Sequence, residues 1–234
     1  GCASLGLTEA ITWSLVSGQD LSRCGLDEAS AVRLANPLSQ DHAYLRPSLL
    51  MGLLHAVRRN LSQGTAGVHL FELGAVAQPG TYPVESQRLG MVIAGLWVRD
   101  WQGTQLCDFF RLKGVVESLL RSMSAATTQA VSASRPWAEP GQCADVVLGG
   151  ARVGVVAQVA YAVARSLDIE EGVWFAELDT NPLLNRQRAM TERRVPTPFP
   201  PVKRDLSLIV ADDAPFDSIA QTIRETGTSA RAGT

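Results

Sequence analysis

Three histidines and two glutamates are the residues whose chemistry first suggests catalysis or metal binding. They are His42, His55, His69, Glu72 and Glu177. The histidines do not fall in His-Glu-x-x-His or a comparable ligand spacing, so the sequence does not predict a zinc site. The two glutamates lie near predicted strand ends and are candidates for an acid/base pair. Carboxylates in such positions are more often solvated or paired with arginine, and both alternatives stay open here.

Nucleotide-binding fingerprints are absent from the sequence. No two of the 20 glycines are separated by a single residue, which excludes Gly-x-Gly-x-x-Gly, and neither lysine lies in a Gly-Lys-Ser/Thr phosphate loop. The net charge of −2 balances 21 basic against 23 acidic residues, so no overall field attracts nucleic acid or a membrane. Any contact with RNA must therefore be local.

The cysteines and the apolar stretches indicate the cellular compartment. Cys2, Cys24, Cys107 and Cys143 lie far apart without a Cys-x-x-Cys pair, which is typical of a reducing environment. No apolar stretch is long enough to span a membrane, and the start lacks the order of a signal peptide. We predict a cytoplasmic protein without a membrane partner. Because the first residue is not Met, we expect the chain to belong to a longer protein.

The elements that must position these side chains alternate between strands and helices, which predicts an α+β fold. Gly149-Gly150 tolerates the positive φ of a tight hairpin, so the sheet is at least partly antiparallel. An apolar stripe from Leu45 to Leu61 predicts one amphipathic helix, and a second helix opens at the candidate N-cap Asp108. Glu117 and Arg121 are placed to pair on its exposed side. Strands are predicted at 9–16, 31–34, 67–73, 88–98, 143–148, 152–159, 173–178 and 203–210, and further helices at 159–168 and 215–226.

The sequence predicts that the chain consists of three segments. Residues 1–187 form the predicted main domain, residues 188–201 an arginine- and proline-rich linker, and residues 202–234 a small C-terminal part. The linker carries too many prolines to hold a helix or an inner strand. In the small part we expect one strand and one helix that Gly227 stops.

Short islands of sequence follow one another in a fixed order along the chain. They are Gly6–Thr12, Asn36–Ser39, Leu45–Leu50, Asn60, Leu70–Gly74, Phe110–Gly114, Glu117, Pro140-Gly141, Glu177–Asp179 and Phe199–Leu206. No island is specific alone, but their order and spacing are. In this the chain resembles the β subunit family of bacterial phenylalanyl-tRNA synthetase.

The resemblance implies a class II synthetase fold for residues 1–187, an antiparallel sheet flanked by helices. It implies the start of a ferredoxin-like anticodon-binding domain for residues 202–234, truncated to one βα unit because a complete fold needs two βαβ halves. For the whole enzyme it implies an α2β2 tetramer with the alpha subunit, with ATP, Mg²⁺, phenylalanine and tRNA(Phe) as ligands.

Activation chemistry is not expected in this segment. In the Arg-x-Glu pattern of the second class II motif, Glu72 is the acid and Leu70 stands where the arginine belongs. A glycine-rich motif ending in an arginine for the γ-phosphate is also missing. Class II activation needs such cations because charge accumulates on the α-phosphate. We therefore predict no catalytic, cofactor-binding or metal-binding residue here.

The segment from Asn36 to Asn60 resembles the first class II motif, which these enzymes use to pair subunits. Packing of the leucine stripe on the chain's own sheet is the alternative, and both can hold. Arg46 either binds a carboxylate at the helix start or is solvated. The candidate interface residues are Asn36, Pro37, Arg46, Leu49, Leu50, Leu53 and Leu54.

The predicted function is a non-catalytic structural module that supports assembly with the alpha subunit. The alternatives are a free-standing pseudo-synthetase that binds a ligand or regulates another process, and a self-sufficient ligase, against which the missing arginines count. Positive charges near the linker are candidates for tRNA contact, although such segments are more often merely soluble. The candidates are Arg188, Arg193, Arg194, Lys203 and Arg204.

Overall fold

The computed structural model describes residues 1–101, 103–123, 127–184, 204–211, 214 and 216–229. The chain divides into two compact units, Gly1–Met190 and Thr191–Thr234. The predicted linker, residues 188–201, lies outside the described residues.

The first unit contains eleven strands and five helices among its described residues. The strands are β1 Thr8–Glu9, β2 Leu15–Val16, β3 Val32–Arg33, β4 Tyr44–Leu45, β5 Gly67–Gln78, β6 Val84–Asp100, β7 Gly103–Leu106, β8 Thr128–Ser132, β9 Ala138–Leu148, β10 Ala151–Val159 and β11 Val173–Asp179. The helices are α1 Gly18–Arg23, α2 Leu50–Ser62, α3 Phe109–Met123, α4 Tyr161–Arg165 and α5 Asn181–Leu184. Short 3-10 turns span Cys2–Leu5, Glu28–Ser30 and Gln40–His42.

Most strands belong to one eight-stranded sheet. Its order is β1-β5-β6-β11-β10-β9-β8, and β7 pairs with the far end of β6. β1 runs parallel to β5, whereas the other neighbours are antiparallel. A small second sheet has the order β2-β4-β3. The α+β prediction is thus confirmed at the level of a large mixed sheet flanked by helices.

The centre of the large sheet is buried on both faces. Along β6, Val92 and Ala94 belong to the core beneath α2, while Met91 and Ile93 belong to the core beneath α3. This alternation follows from the period of two along a strand. A strand covered on both sides has no need of polar residues, so 91–94 is a continuous apolar run.

Local sequence signals set several element boundaries as predicted. Gly149 and Gly150 adopt φ values of 55° and 81°, which confirms the hairpin between β9 and β10. The Asp108 carboxylate accepts the Arg111 backbone N–H at 2.7 Å, as expected of an N-cap. Glu117, however, forms its ion pair with Lys113, at 3.0 Å, and not with Arg121 as predicted.

The single strand predicted at 9–16 is wrong, because two short strands occur there. Between β1 and β2 the chain crosses from the large sheet to the small one. The Ala10 N–H donates to the Phe71 carbonyl at 2.8 Å, and the Ser14 carbonyl accepts the Arg46 N–H at 2.9 Å. β-Branched and aromatic residues predicted the extended backbone but not the change of partner strand.

The second unit differs from its prediction in two ways. Residues 204–210 form no strand, because no other described segment of this unit offers them a pairing edge. The helix α6, Phe216–Ser229, continues through Gly227, where we expected it to stop. A glycine inside a helix costs about 1 kcal/mol relative to alanine, which is too little to end the helix by itself.

Candidate functional site

A buried ion pair lies just before the start of α2. Arg46 and Glu72 have only 5% and 2% of their surface exposed, and Nη1 of Arg46 lies 2.7 Å from Oε1 of Glu72. Nε of Arg46 donates to the Ala75 carbonyl at 2.9 Å. Of the two alternatives for Arg46, the structure shows binding to a carboxylate. Glu72, correspondingly, is paired with arginine.

Thr12 completes this network from the connection between β1 and β2. Its Oγ1 donates to Oε2 of Glu72 at 2.7 Å, and its N–H donates to Oε1 at 3.2 Å. The same Oγ1 accepts a hydrogen bond from Nη1 of Arg46 at 3.0 Å. The network therefore joins three segments: the connection between β1 and β2, strand β5, and the residues just before α2. The charged groups that join them are shielded from water.

Two glycines provide the room for this network. A Cβ at Gly74 would lie 2.3 Å from Nη2 of Arg46, and a Cβ at Gly52 would lie 2.1 Å from Oγ1 of Thr12. Sequence reasoning missed Thr12, Gly52 and Gly74 as members of this site. Gly74 is the last residue of the island Leu70–Gly74, and its membership of that island was the sequence signal that could have pointed to it.

Glu177 on β11 accepts a hydrogen bond from a backbone amide at the start of α2. Its Oε1 accepts the Leu49 N–H at 2.8 Å and the Ser48 hydroxyl at 2.9 Å. Helix N-termini leave amide groups without intrahelical partners and favour negative charge there. Burial raises the pKa of Glu177, against the effect of these hydrogen bonds. Glu72 and Glu177 thus both bind groups at the entry to α2.

The leucine stripe of α2 packs inside the chain itself. Leu49, Leu50, Leu53 and Leu54 are 0% exposed and contribute to the core between α2 and the sheet. We correct the predicted interface accordingly, because these leucines and the buried Arg46 offer no surface to a partner. Of the other candidates, Asn36 is exposed and Pro37 half-buried.

The outer side of α2 borders an open cleft of about 480 Å³. The connection between β1 and β2 forms its opposite wall, where the side chains of Ile11 and Trp13 are 92% and 76% exposed. Gly52 and Ala56 lie on the helix side of the cleft, and neither has a large side chain to fill it.

A hydrogen bond joins α1 to α2 beside this cleft. Nε2 of His55 lies 2.8 Å from Oδ1 of Asp20. Burial opposes ionisation of Asp20, but hydrogen bonds from His55 and Ser17 outweigh it and lower its pKa to about 2. Asp20 is therefore ionised throughout the neutral range and serves as a fixed anion.

The remaining histidines lie in separate places. His42 packs beside Trp13 with ring centroids 5.5 Å apart, and His69 packs beside Trp97 at 4.6 Å. Within the described ranges, no group of three His, Cys, Asp or Glu side chains is placed to hold a metal ion. Leu70 on β5 is apolar and supplies no cation at its position.

The candidate RNA-contact residues fall mostly outside the described part of the chain. Arg188, Arg193, Arg194 and Lys203 lie there, whereas Arg204 is described and exposed. In the described ranges, no helix combines the length and apolar character needed to cross a membrane.

Comparison with known proteins identifies the family. The family model described as the phenylalanyl tRNA synthetase beta chain CLM domain matches residues 1–180. The chain belongs to this family. The matched CLM region contains the whole network of Thr12, Arg46, Glu72 and Glu177. The family resemblance of the sequence islands is thereby confirmed.

Curated relatives of this CLM-domain chain carry the name phenylalanine–tRNA ligase beta subunit. The protein of Geobacillus kaustophilus is 36% identical over 229 residues, and that of Bacillus subtilis is 33% identical over 228 residues. Each alignment covers 95% of this chain and 28% of the relative. The chain thus spans little more than a quarter of the length of these relatives.

Proposed function

We propose that the chain is a non-catalytic structural module of a phenylalanine–tRNA ligase beta subunit that supports assembly with the alpha subunit. The observation that carries this proposal is the buried Arg46–Glu72 pair, which fixes the entry to α2 in the segment that resembles a subunit-pairing motif. Such a pair is a costly way to gain stability, and on this proposal its role is to hold the entry to α2 in one geometry, as an assembly module requires.

Helices cover both faces of the large sheet, which supports a non-catalytic role. α2 covers one face, and the apolar side chains of α3 cover the other, with Leu112 and Leu120 fully buried. Class II activation needs cations at the phosphates, and Leu70 stands where the resemblance implies an arginine. ATP and Mg²⁺ belong, on this proposal, to the whole enzyme, an α2β2 tetramer in the cytoplasm that charges tRNA(Phe).

Partner contact, on this proposal, uses the outer surface of the pairing segment and not its buried stripe. Asn36 is exposed, Pro37 half-buried, and the side chain of Leu38 fully exposed. The buried leucines act indirectly, because they hold α2 against the sheet and so fix the surface that remains outside.

Co-purification with the alpha subunit of the same organism tests the proposal. We expect a stable complex with the wild-type chain, and the Arg46→Ala variant should lose it. Arg58→Ala is the matched control, because Arg58 pairs with Asp168 on the surface. A folded wild-type chain without a complex would contradict the assembly role and favour a free-standing pseudo-synthetase. Phenylalanine-dependent pyrophosphate exchange by the chain alone would contradict its lack of catalysis.

Contact with tRNA is a separate part of the proposal. It rests on the positive charge of Arg188, Arg193, Arg194, Lys203 and Arg204 and on the counterions that such residues release from phosphates. Replacing Arg193 and Arg194 by alanine in the intact beta subunit should weaken tRNA binding and flatten its salt dependence. An unchanged affinity and slope would end this idea.

A further inference from the structure

Strand β8 forms one end of the large sheet, and its outer edge has no partner strand among the described residues. The opposite end of the sheet is partly covered. There the Phe71 carbonyl accepts the Ala10 N–H at 2.8 Å, and the Ala77 N–H donates to the Arg46 carbonyl at 3.0 Å. A strand edge that is left open offers its backbone groups to another chain. The two ends of the sheet thus differ in what they present to a partner.

The hydrogen bonds between β8 and β9 show which backbone groups of β8 point outward. The Thr127 carbonyl accepts the Gly149 N–H at 3.1 Å, and the Ala133 N–H donates to the Cys143 carbonyl at 2.9 Å. In an antiparallel strand both backbone groups of a residue point to the same side, and successive residues alternate. The odd-numbered residues from 127 to 133 therefore face β9. The open edge consequently carries the N–H and C=O groups of Thr128, Ala130 and Ser132.

Three features that commonly protect an open edge are missing from β8: charge, proline and a bulge. Its sequence, Thr-Gln-Ala-Val-Ser, contains neither a charged residue nor a proline. Its five pairs with β9 run without a register shift, so no bulge turns the edge away. Gln129 and Ser132 are exposed, and Val131 is 51% exposed. The edge is therefore regular, neutral and exposed.

This edge is complementary to itself across a two-fold axis. In an antiparallel pair centred on Ala130, each outward backbone group of one copy meets a partner group of the other. Thr128 then lies opposite Ser132, and their hydroxyl groups form a favourable cross-strand pair. Gln129 lies opposite Val131, and no like charges meet. Because both copies use the same edge, the assembly closes as a dimer.

We propose that β8 pairs with β8 of a second copy of this chain and joins the two large sheets into one. The inference does not depend on contact with the alpha subunit, because α2 packs on β5 and β6, with three strands between them and β8. A single five-residue edge makes a small interface. We therefore expect a reversible dimer whose dissociation constant lies between about 1 µM and about 1 mM.

Sedimentation of the full chain over a range of concentrations tests the pairing. The average mass of the wild type should rise reversibly from that of one chain towards that of two. Val131→Lys should weaken the dimer about 10-fold, because the two lysines would lie diagonally across the pair. Val84→Lys is the matched control, since Val84 is 60% exposed at the start of β6, and this variant should dimerise like the wild type. Thermal melting of both variants verifies folding.

Disulfide formation between chains of different mass tests the register. Residue 129 of one copy and residue 131 of the other form a non-hydrogen-bonded pair, whose Cα atoms lie about 4.5 Å apart, within reach of a disulfide. Oxidising a mixture of Gln129→Cys and Val131→Cys chains should therefore crosslink one chain of each kind. The native cysteines are buried and do not compete. A mixture of Gln129→Cys and Val84→Cys chains is the control and should give no mixed product.

Three results would overturn the inference. They are a wild-type chain that is monomeric at every concentration, equal dimerisation of Val131→Lys and Val84→Lys, and no excess of the mixed disulfide over its control. If Gln129→Cys crosslinks to the alpha subunit and not to a second copy, the inference also fails, while the proposed function stands. A dimer with the expected disulfide but no binding of the alpha subunit would support the inference and remove the proposed function.

Discussion

Arg46 shows how much a single side chain can depend on its surroundings. Its guanidinium is surrounded by a carboxylate, a backbone carbonyl and a hydroxyl, with almost no access to water. The sequence raised carboxylate binding as one of two alternatives. It could not name Glu72, which lies 26 positions away on β5, because no local pattern encodes a contact made by tertiary packing.

Removing one partner of this pair should be severely destabilising. Arg46→Ala leaves the Glu72 charge buried without its cation, for which we expect a loss of about 3–5 kcal/mol in the free energy of unfolding. Arg58→Ala should cost no more than about 1 kcal/mol, because its pair with Asp168 is exposed. Urea unfolding of both variants measures the contrast. Similar losses for the two would contradict the structural role of the buried pair.

Ionisation of the Glu177 carboxyl group should lower the free energy of unfolding. Its folded-state pKa is raised above the ordinary value of 4.5. A group with a raised folded-state pKa contributes stability below its unfolded pKa, and this contribution is lost as the pH rises toward the folded value. Glu177→Gln keeps an oxygen for the Leu49 amide without the charge. We therefore expect this variant to gain stability relative to wild type as the pH rises above 4.5.

The melting temperatures of two variants across this range provide the check. Glu177→Ala loses the acceptor altogether and should be less stable than Glu177→Gln by about 1 kcal/mol at every pH. If the difference between wild type and Glu177→Gln does not change with pH, the carboxylate has no raised pKa.

Among the elements, α2 and α3 were the most predictable, because their apolar stripes are long and periodic. The predicted start of α2 was wrong, because Leu45 belongs to β4 and the helix begins at Leu50. The segment from residue 9 to residue 16 was the least predictable. Its composition favours extended structure throughout, but Thr12 is drawn inward by Glu72, and the chain then changes sheets. Likewise, the strand predicted near the C-terminus has strand-like composition but no partner strand among the described residues of its unit. Propensity describes a segment alone, whereas a strand exists only as part of a pair.

Two glycines on the helices should respond oppositely to alanine. In α2, Gly52→Ala places a Cβ 2.1 Å from Oγ1 of Thr12, so the Thr12–Glu72 contact must shift, at a cost of about 1–3 kcal/mol. In α3, a Cβ at Gly114 meets no atom within 4 Å. Gly114→Ala should therefore stabilise the protein by up to about 1 kcal/mol through helix propensity. Calorimetric melting distinguishes the two, and stabilisation by Gly52→Ala would exclude the close contact.

All four cysteines of the chain are buried and unpaired. Burial raises the pKa of Cys24 and Cys107 to about 12 in each case and also raises that of Cys2 and Cys143. Thiolates react with disulfide reagents, whereas protonated thiols do not. We expect no rapidly reacting thiol in the native protein at pH 8 and four in denaturant. A native thiol that reacts at the rate of the denatured protein would contradict this packing.

The hydrogen bond from Ser48 to Glu177 joins residues 129 positions apart. As a consequence, the start of α2 cannot acquire its final partner until β11 has been synthesised and inserted between β6 and β10. Contacts of such long range slow folding, because the intervening chain must be ordered first. During translation, the segment that resembles a pairing motif would therefore emerge early but become rigid late, after nearly the whole module has left the ribosome.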